Sequence, residues 1–130
     1  MPKRDAPRPT DAELEILNVL WQRGACTVRD VQQAISRAKP AVGYTTVLKL
    51  MQIMAEKGLV ERDETERAHV YEARLAREQT QRQLIGDLLE RAFEGSATKL
   101  VMQALSAKKA SAEELTTIRE MLDEFERGES

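Results

Sequence analysis

Hydrogen-bonding side chains recur on one side of the segment 43–58, which reads GYTTVLKLMQIMAEKG. On a helical wheel at about 100° per residue, Thr45, Lys49, Gln52 and Glu56 share that side. The opposite side is apolar and consists of Val47, Leu50, Met51 and Met54. Threonine can contact phosphate or a thymine methyl, lysine can contact phosphate or guanine, and glutamine can pair with adenine. The polar side is therefore suited to nucleic acid, and the alternative is an ordinary amphipathic surface helix.

Catalytic and metal-binding chemistry has little support, because the chain has one cysteine, Cys26, and one histidine, His69. One of each is too few for a structural zinc site. The six glycines are scattered, so none of them builds a phosphate-binding loop. We predict that Cys26 is a small buried hydrophobe, that no cofactor or metal is needed, and that the protein is not an enzyme. An enzymatic alternative based on carboxylates of the last helix is disfavoured, since these groups spread around the helix.

The 130 residues carry a net charge of −2, which is divided unevenly. Residues 1–75 hold 12 basic and 11 acidic side chains, whereas residues 76–130 hold 8 and 11. An anionic partner would therefore meet the first part, and its positive charge must be local. The first ten residues are charged and proline-rich, and no apolar run approaches the roughly 18 residues of a membrane span. We expect a cytoplasmic protein without membrane insertion.

Two helices precede the segment 43–58, and a hairpin follows it. Thr10 with Glu13 forms a capping-box pattern at the first helix. Thr27 is the predicted cap of the second helix, with Asp30 at its third helical position. Two short extended runs, LVERDE and AHVYEAR, flank residues 65–67. This order of elements is typical of a helix-turn-helix followed by a wing, which favours DNA as the partner of the third helix. A winged-helix module that docks another protein is the alternative.

From residue 77 the apolar pattern is purely helical and predicts three further helices. About fifty residues seldom close a core alone, so we predict that these stripes pair with a second copy of the chain. The alternative is that they fold back onto the first part. The predicted dimerisation residues are Leu84, Leu88, Leu100, Val101, Leu105, Leu115, Ile118, Leu122 and Phe125.

Several motifs together resemble the BlaI/MecI-type penicillinase repressor family over roughly residues 9–126. They are PTDAELEILNVLW, TVRDV, YTTVLKLMQIMAEKGLVERD and RAHVYEA. The resemblance implies a mainly α protein with a winged helix-turn-helix head, a small β-hairpin wing and a three-helix dimerisation region. It implies a homodimeric transcriptional repressor that binds double-stranded DNA at a dyad-symmetric operator of β-lactam-resistance or related genes. The predicted boundaries are 1–9 for a disordered arm, 10–76 for the head and 77–127 for the dimerisation domain.

The same resemblance places the DNA contacts on the third helix and the wing, residues 62–71. The predicted DNA-binding residues are Tyr44, Thr45, Thr46, Lys49, Gln52 and Arg67. Among them the residues of the N-terminal half, 44–49, are favoured for contacts with bases. Arg67 is the predicted phosphate contact of the wing.

Three positions depart from the family pattern. Gln103–Ala104 stands where well-known members have an Asn-Phe pair cut by a membrane-bound metalloprotease, so cleavage by that regulatory partner is not expected here. Ile53 stands where arginine is frequent, which removes one backbone anchor. Glu64 and Glu66 flank the wing tip, and we expect the wing to graze the DNA or to direct these carboxylates outward.

Overall fold

The computed structural model describes residues 8–128, so most of the predicted arm, residues 1–9, lies outside the described part of the chain. Six helices and three short strands follow one another. They are α1 Asp11–Arg23, β1 Cys26–Thr27, α2 Val28–Ser36, α3 Tyr44–Lys57, β2 Val60–Asp63, β3 Val70–Ala73, α4 Arg77–Ala92, α5 Ala97–Ala107 and α6 Ala112–Glu126. The predicted fold class, mainly α with a winged helix-turn-helix head, is confirmed.

Local hydrogen bonds determine where several helices begin. The Thr10 hydroxyl accepts from the backbone N–H of Glu13, and the Glu13 carboxylate accepts from the backbone N–H of Thr10. Thr27 with Asp30 forms the same capping box at α2, and Ser111 forms it at α6. Each box satisfies two backbone donors that the first turn of a helix leaves unpaired. The predicted capping box of α1 and the predicted cap Thr27 of α2 are confirmed.

The strands form one antiparallel sheet in the order β1-β3-β2. The predicted hairpin is confirmed as β2 and β3, with Arg62 opposite Tyr71 and Asp63 opposite Val70. The sequence did not predict β1, whose Cys26 pairs with Tyr71. A strand of two residues has too short a pattern to be recognised, and it exists because β3 offers it a free edge.

The core lies among α1, α2, α3 and the sheet. Its buried apolar residues are Ile16, Leu17, Leu20, Cys26, Val28, Val31, Val47, Met51, Met54, Leu59, Val60 and Tyr71. Cys26 is buried as predicted, and burial raises the pKa of its thiol above the ordinary value. Ile16 of α1 is fully buried in this core.

The described chain divides into two compact units, and the division falls within α4, after Ile85. The N-terminal unit contains the core and the sheet. In this unit the Trp21 indole N–H donates to the carbonyl of Leu75 at 2.9 Å, and Thr80 of α4 is buried. The C-terminal unit contains the rest of α4 with α5 and α6, and its helices have no buried residue from Gly86 to Gly128. The boundary predicted at residue 76 stays a prediction.

Candidate nucleic-acid interface

Helix α3 has one face in the core and one face in solvent. Val47, Met51 and Met54 are completely buried, which fixes the rotation of the helix about its axis. Leu50, predicted for the same face, is only half-buried. The predicted DNA-binding residues of α3 are all exposed, namely Tyr44, Thr45, Thr46, Lys49 and Gln52. The wheel therefore gave the correct orientation of the helix, and the polar side chains are available to a partner.

The first turn of α3 is open to solvent as well. Its N-cap residue is Gly43, which has no side chain to accept from the free backbone N–H groups of the first turn. At the other end, Gly58 adopts a left-handed conformation with φ of 85°, and its N–H donates to carbonyls of Met54 and Ala55. Backbone carbonyls at the C-terminus of α3 thus accept a hydrogen bond, whereas the backbone N–H groups of its first turn have no side-chain acceptor at the N-cap. In helix-turn-helix proteins the N-terminal half of this helix is the half that contacts DNA.

Arg29 of α2 was not predicted as a site residue, yet it contacts the start of α3. Its guanidinium carbon lies 5.2 Å from the centroid of the Tyr44 ring, which is cation–π distance. Fifteen residues separate the two in sequence, so no local spacing pattern could indicate the pair. Only the packing of α2 against α3 brings them together.

A groove between α3 and the wing collects three of the predicted residues. We call it the wing groove, and its volume is about 500 Å³. Its lining consists of Thr27, Val28, Arg29, Tyr44, Leu48, Gln52, Arg62, Arg67, Ala68, His69 and Tyr71. Tyr44, Gln52 and Arg67 are brought together here, whereas Thr45, Thr46 and Lys49 lie outside this lining. The described interface therefore has two parts, the exposed face of α3 and the wing groove beside it.

The charges of the wing are segregated onto two sides. The wing groove is lined by three arginines and a histidine, with no carboxylate in its lining. A second groove on the hairpin contains Arg62 with four carboxylates, Glu61, Asp63, Glu64 and Glu72. Of the two carboxylates expected near the wing tip, Glu64 therefore lies in a different groove from Arg67 and His69, whereas Glu66 lines neither groove.

Hydrogen bonds hold the acidic side of the wing in place. The Arg62 guanidinium has its pKa raised by a hydrogen bond to the Tyr71 side chain and by the nearby Glu64 carboxylate, with which it forms an ion pair. The backbone N–H of Thr65 donates to the Asp63 carboxylate at 3.0 Å, and bonds with Thr65 lower the pKa of Asp63. Glu64 and Asp63 therefore have partners inside the wing.

Lys57, at the end of α3, is bound to the core side rather than offered to a partner. Its ammonium donates to both oxygens of Glu13, at 2.8 and 3.0 Å, and the Glu13 side chain is only 3% exposed. Burial alone raises the pKa of Glu13, but the bonds from Lys57 and from the Thr10 backbone outweigh it, so the pKa lies below 4.5. This ion pair connects α3 with α1 and keeps the Glu13 carboxylate, which also forms the capping box, ionised.

The predicted dimerisation residues lie on helices that leave their apolar side chains accessible. Leu84, Leu100, Leu105, Leu115 and Ile118 are half-buried, and the others are exposed. The exposed fractions are 45% for Leu88, 46% for Val101, 57% for Leu122 and 63% for Phe125. A surface of this composition is typical of an interface.

Metal-ligand clusters and membrane-spanning helices are both absent from the described part of the chain. Residues 8–128 contain no group of three His, Cys, Asp or Glu side chains placed to hold a metal ion. None of the helices within that range has the length and apolar composition needed to cross a membrane.

Comparison with known proteins identifies the family of this fold. The model of a family described as penicillinase repressor matches residues 9–124. The chain belongs to the penicillinase repressor family. Its members are transcriptional repressors and not enzymes, so the protein is a DNA-binding transcriptional repressor.

Relatives and a solved structure agree with this assignment. The transcriptional regulator BlaI of Mycobacterium tuberculosis is 33% identical over 119 residues, 91% of this chain and 85% of that protein. The penicillinase repressor of Bacillus licheniformis is 24% identical over 121 residues, 91% of each chain. The solution structure of Bacillus licheniformis BlaI, in its monomeric form in complex with the blaP half-operator, matches with a TM-score of 0.50 and 21% identity. It covers 59% of this chain and 93% of that chain, and it supports the winged-helix fold.

Proposed function

We propose that this member of the penicillinase repressor family acts as a homodimer on a dyad-symmetric operator. Each N-terminal unit places α3 in a major groove, with Thr45, Thr46 and Lys49 toward the bases and Arg67 on the backbone. The main support for this placement is the exposed polar face of α3, which lies beside a wing groove that has no carboxylate in its lining. Bacillus licheniformis BlaI, solved with a half-operator, supports the choice of one unit per half-site.

The second copy supplies the other half-site. We infer that the apolar stripes of α4, α5 and α6 pair between two chains, because several of their large apolar side chains, among them Leu88, Leu122 and Phe125, are exposed within a single chain. A two-fold axis then relates the two α3 helices, and half-site centres lie about one helical turn, or a multiple of it, apart. Domain limits of 10–76 for DNA binding and 77–127 for dimerisation complete the proposal.

Target and regulation are proposed from the family. The controlled genes are β-lactam-resistance or related genes. The protein itself is cytoplasmic. A membrane metalloprotease encoded nearby is the candidate regulatory partner. Cleavage between Gln103 and Ala104 of α5 is not part of the proposal, since this pair differs from the Asn-Phe that such proteases cut.

Removing the Lys49 ammonium tests the DNA contact directly. Lys49→Ala should weaken binding to DNA from upstream of its own gene roughly tenfold, because one charged contact of about 1–3 kcal/mol is lost. The measurement is fluorescence anisotropy at several salt concentrations. Lys108→Ala, which removes the same charge from the C-terminal end of α5, is the control and should bind like the parent protein.

Two outcomes would contradict the proposal. Equal binding by the Lys49→Ala and Lys108→Ala variants would remove Lys49 from the interface. A parent protein that retains no genomic DNA fragment, but captures another protein through α3, would favour the protein-interaction alternative. The salt dependence gives a further test. Because the N-terminal half of the chain is nearly neutral, the slope of log K against log salt should be shallower than the slope expected for about ten phosphate contacts.

A further inference from the structure

The exposed surface of α3 divides into two neighbouring rows. Tyr44, Leu48 and Gln52 are spaced by four residues, so they lie one above another on a helix, and all three line the wing groove. Thr45 and Lys49 form the adjacent row, and neither lines that groove. The two rows therefore face different surroundings, although the helical wheel placed Gln52 on the same polar side as Thr45 and Lys49.

Free cations concentrate in the wing groove. Within residues 8–128, Arg67 and His69 form no hydrogen bond or ion pair with another side chain, and the Arg29 guanidinium forms no ion pair and lies over the Tyr44 ring. Arg62, in contrast, is already paired with Glu64. No carboxylate lines the groove. Two guanidinium groups and one imidazole thus face the same open space without a carboxylate beside them.

We propose that the wing groove binds a phosphodiester segment of the operator backbone and that Arg29 is its principal phosphate ligand, held in place by the ring of Tyr44. This rests on the proposed function and assigns a new site within it. Guanidinium matches phosphate geometry with two parallel N–H donors. Stacking on an aromatic ring restricts the side chain beforehand, which reduces the conformational entropy lost on binding.

The assignment gives Tyr44 a different role from the one predicted from sequence. Tyr44 is a positioning residue for Arg29 and does not read a base. The row of Thr45 and Lys49 then carries base selection, while the row of Tyr44, Leu48 and Gln52 follows the backbone. Arg29, Arg67 and His69 approach the same strand from α2 and from the wing, so the backbone is held from both sides of the groove.

The decisive measurement is the salt dependence of DNA binding by the full-length chain. The probe is a fluorescein-labelled duplex from directly upstream of its own gene, titrated at five salt concentrations. Arg29→Ala should lower affinity about 5- to 50-fold and reduce the slope of log K against log salt by about 0.9, the value for one phosphate contact. Arg29→Lys should keep the slope and lose about threefold in affinity, because charge remains and the planar fork is lost.

Matched variants distinguish a specific phosphate contact of Arg29 from an effect of the total charge of the protein and from a loss of folding. Arg37→Ala removes the same charge from the C-terminal end of α2, roughly 12 Å along the helix from Arg29, and should leave slope and affinity unchanged. Tyr44→Phe keeps the ring and should bind like the parent, whereas Tyr44→Leu should lose affinity about 3- to 10-fold without changing preference among half-site variants. Thermal unfolding of each variant confirms that the fold is retained.

Three results would overturn the assignment. If Arg29→Ala keeps the parental slope while Lys49→Ala weakens binding, operator recognition stands and the phosphate ligand is elsewhere. If Arg29→Ala changes preference among half-site variants, Arg29 reads bases and the backbone assignment is wrong. If inorganic phosphate alone binds the protein tightly and Arg29→Ala abolishes that binding without affecting DNA, the groove is a small-anion site.

Discussion

Helices in both compact units begin with the same local hydrogen bonds, but the two units differ in how many apolar side chains their helices bury. Capping boxes begin α1 and α2 in the N-terminal unit and α6 in the C-terminal unit. All the buried apolar residues of the core nevertheless lie between Ile16 and Tyr71. Local hydrogen bonds therefore make a helix begin at a given residue, whereas a core requires several elements to converge on one volume. The C-terminal helices have the first property and, within one chain, lack the second.

Separating the units should have the largest effect on function. A chain ending at Ile85 should keep a folded, monomeric DNA-binding unit and lose operator affinity about 100-fold or more, because two linked heads gain an effective concentration that one head lacks. A chain ending at Ala76 should also be less stable, since it loses the buried Thr80 and the Arg77 guanidinium 5.7 Å from the Trp21 ring. Sedimentation and anisotropy measure the two effects.

The fluorescence of Trp21, the single tryptophan, reports unfolding of the N-terminal unit alone. A full-length chain that sediments as a monomer would contradict the comparison. So would a chain ending at Ile85 that binds the operator as tightly as the full-length protein. Equal unfolding midpoints for the two truncations would show that Thr80 and Arg77 add nothing to the N-terminal unit.

Identical leucine deletions in the two units should differ in kind. Leu17 is 2% exposed and Leu122 is 57% exposed. Leu17→Ala should lower the free energy of unfolding of the N-terminal unit by about 2–5 kcal/mol, because it leaves a cavity in the core. Leu122→Ala should leave that unfolding within about 0.5 kcal/mol. It should instead raise the dimer dissociation constant about tenfold, the equivalent of a buried leucine side chain.

The readouts are Trp21 fluorescence in urea and sedimentation over a range of protein concentrations. A Leu122→Ala variant with an unchanged dimer dissociation constant would remove this residue from the interface. If Leu122→Ala lowered the urea midpoint of Trp21 fluorescence as much as Leu17→Ala, the two units would share one core.

Two lysine ion pairs allow a comparison of the stability contributed by a buried charge and by an exposed charge within the N-terminal unit. Lys57→Met leaves the Glu13 carboxylate buried without its cation and should cost about 1–3 kcal/mol at pH 7. Lys39→Met breaks a pair with Glu15 at 2.6 Å whose side chains are 53% and 43% exposed. It should cost less than about 0.5 kcal/mol, because water screens the charges.

The pH dependence follows from the lowered pKa of Glu13. A carboxyl group with a lower pKa in the folded state stabilises the fold above its ordinary value of 4.5, and that contribution is lost as the pH falls through the folded value. The difference in unfolding free energy between the parent and Lys57→Met should therefore shrink on acidification below pH 4.5. A difference that stays constant from pH 7 to the acid limit would contradict the ionised pair.

The smallest effect is expected on the base-reading row of α3. Thr45→Val keeps the size of the side chain and removes its hydroxyl, so affinity should change about two- to fivefold with some half-site variants and not with others. The salt slope should stay that of the parent. Equal relative affinities across the whole panel of half-site variants would show that Thr45 reads no base.

Most of the helical part of the fold could be predicted, because its signals are local. Thr10 and Glu13, three residues apart, form the predicted capping box, and α3 runs from Tyr44 to Lys57 between its two glycines. The 3.6-residue repeat placed Val47, Met51 and Met54 in the core. Leu50 was placed less well, since a residue at the edge of an apolar stripe is buried or exposed according to what packs beside it.

The sequence by itself determined the helices, their caps, the two-sided character of α3 and the unpaired apolar stripes near the C-terminus. Each of these depends on residues within one or two helical turns of one another. Only the tertiary structure decided the pairing of β1 with β3, the contact of Arg29 with Tyr44 and the separation of the wing charges. These depend on residues distant in sequence, which approach each other because the burial of the shared core fixes how α2, α3 and the hairpin pack.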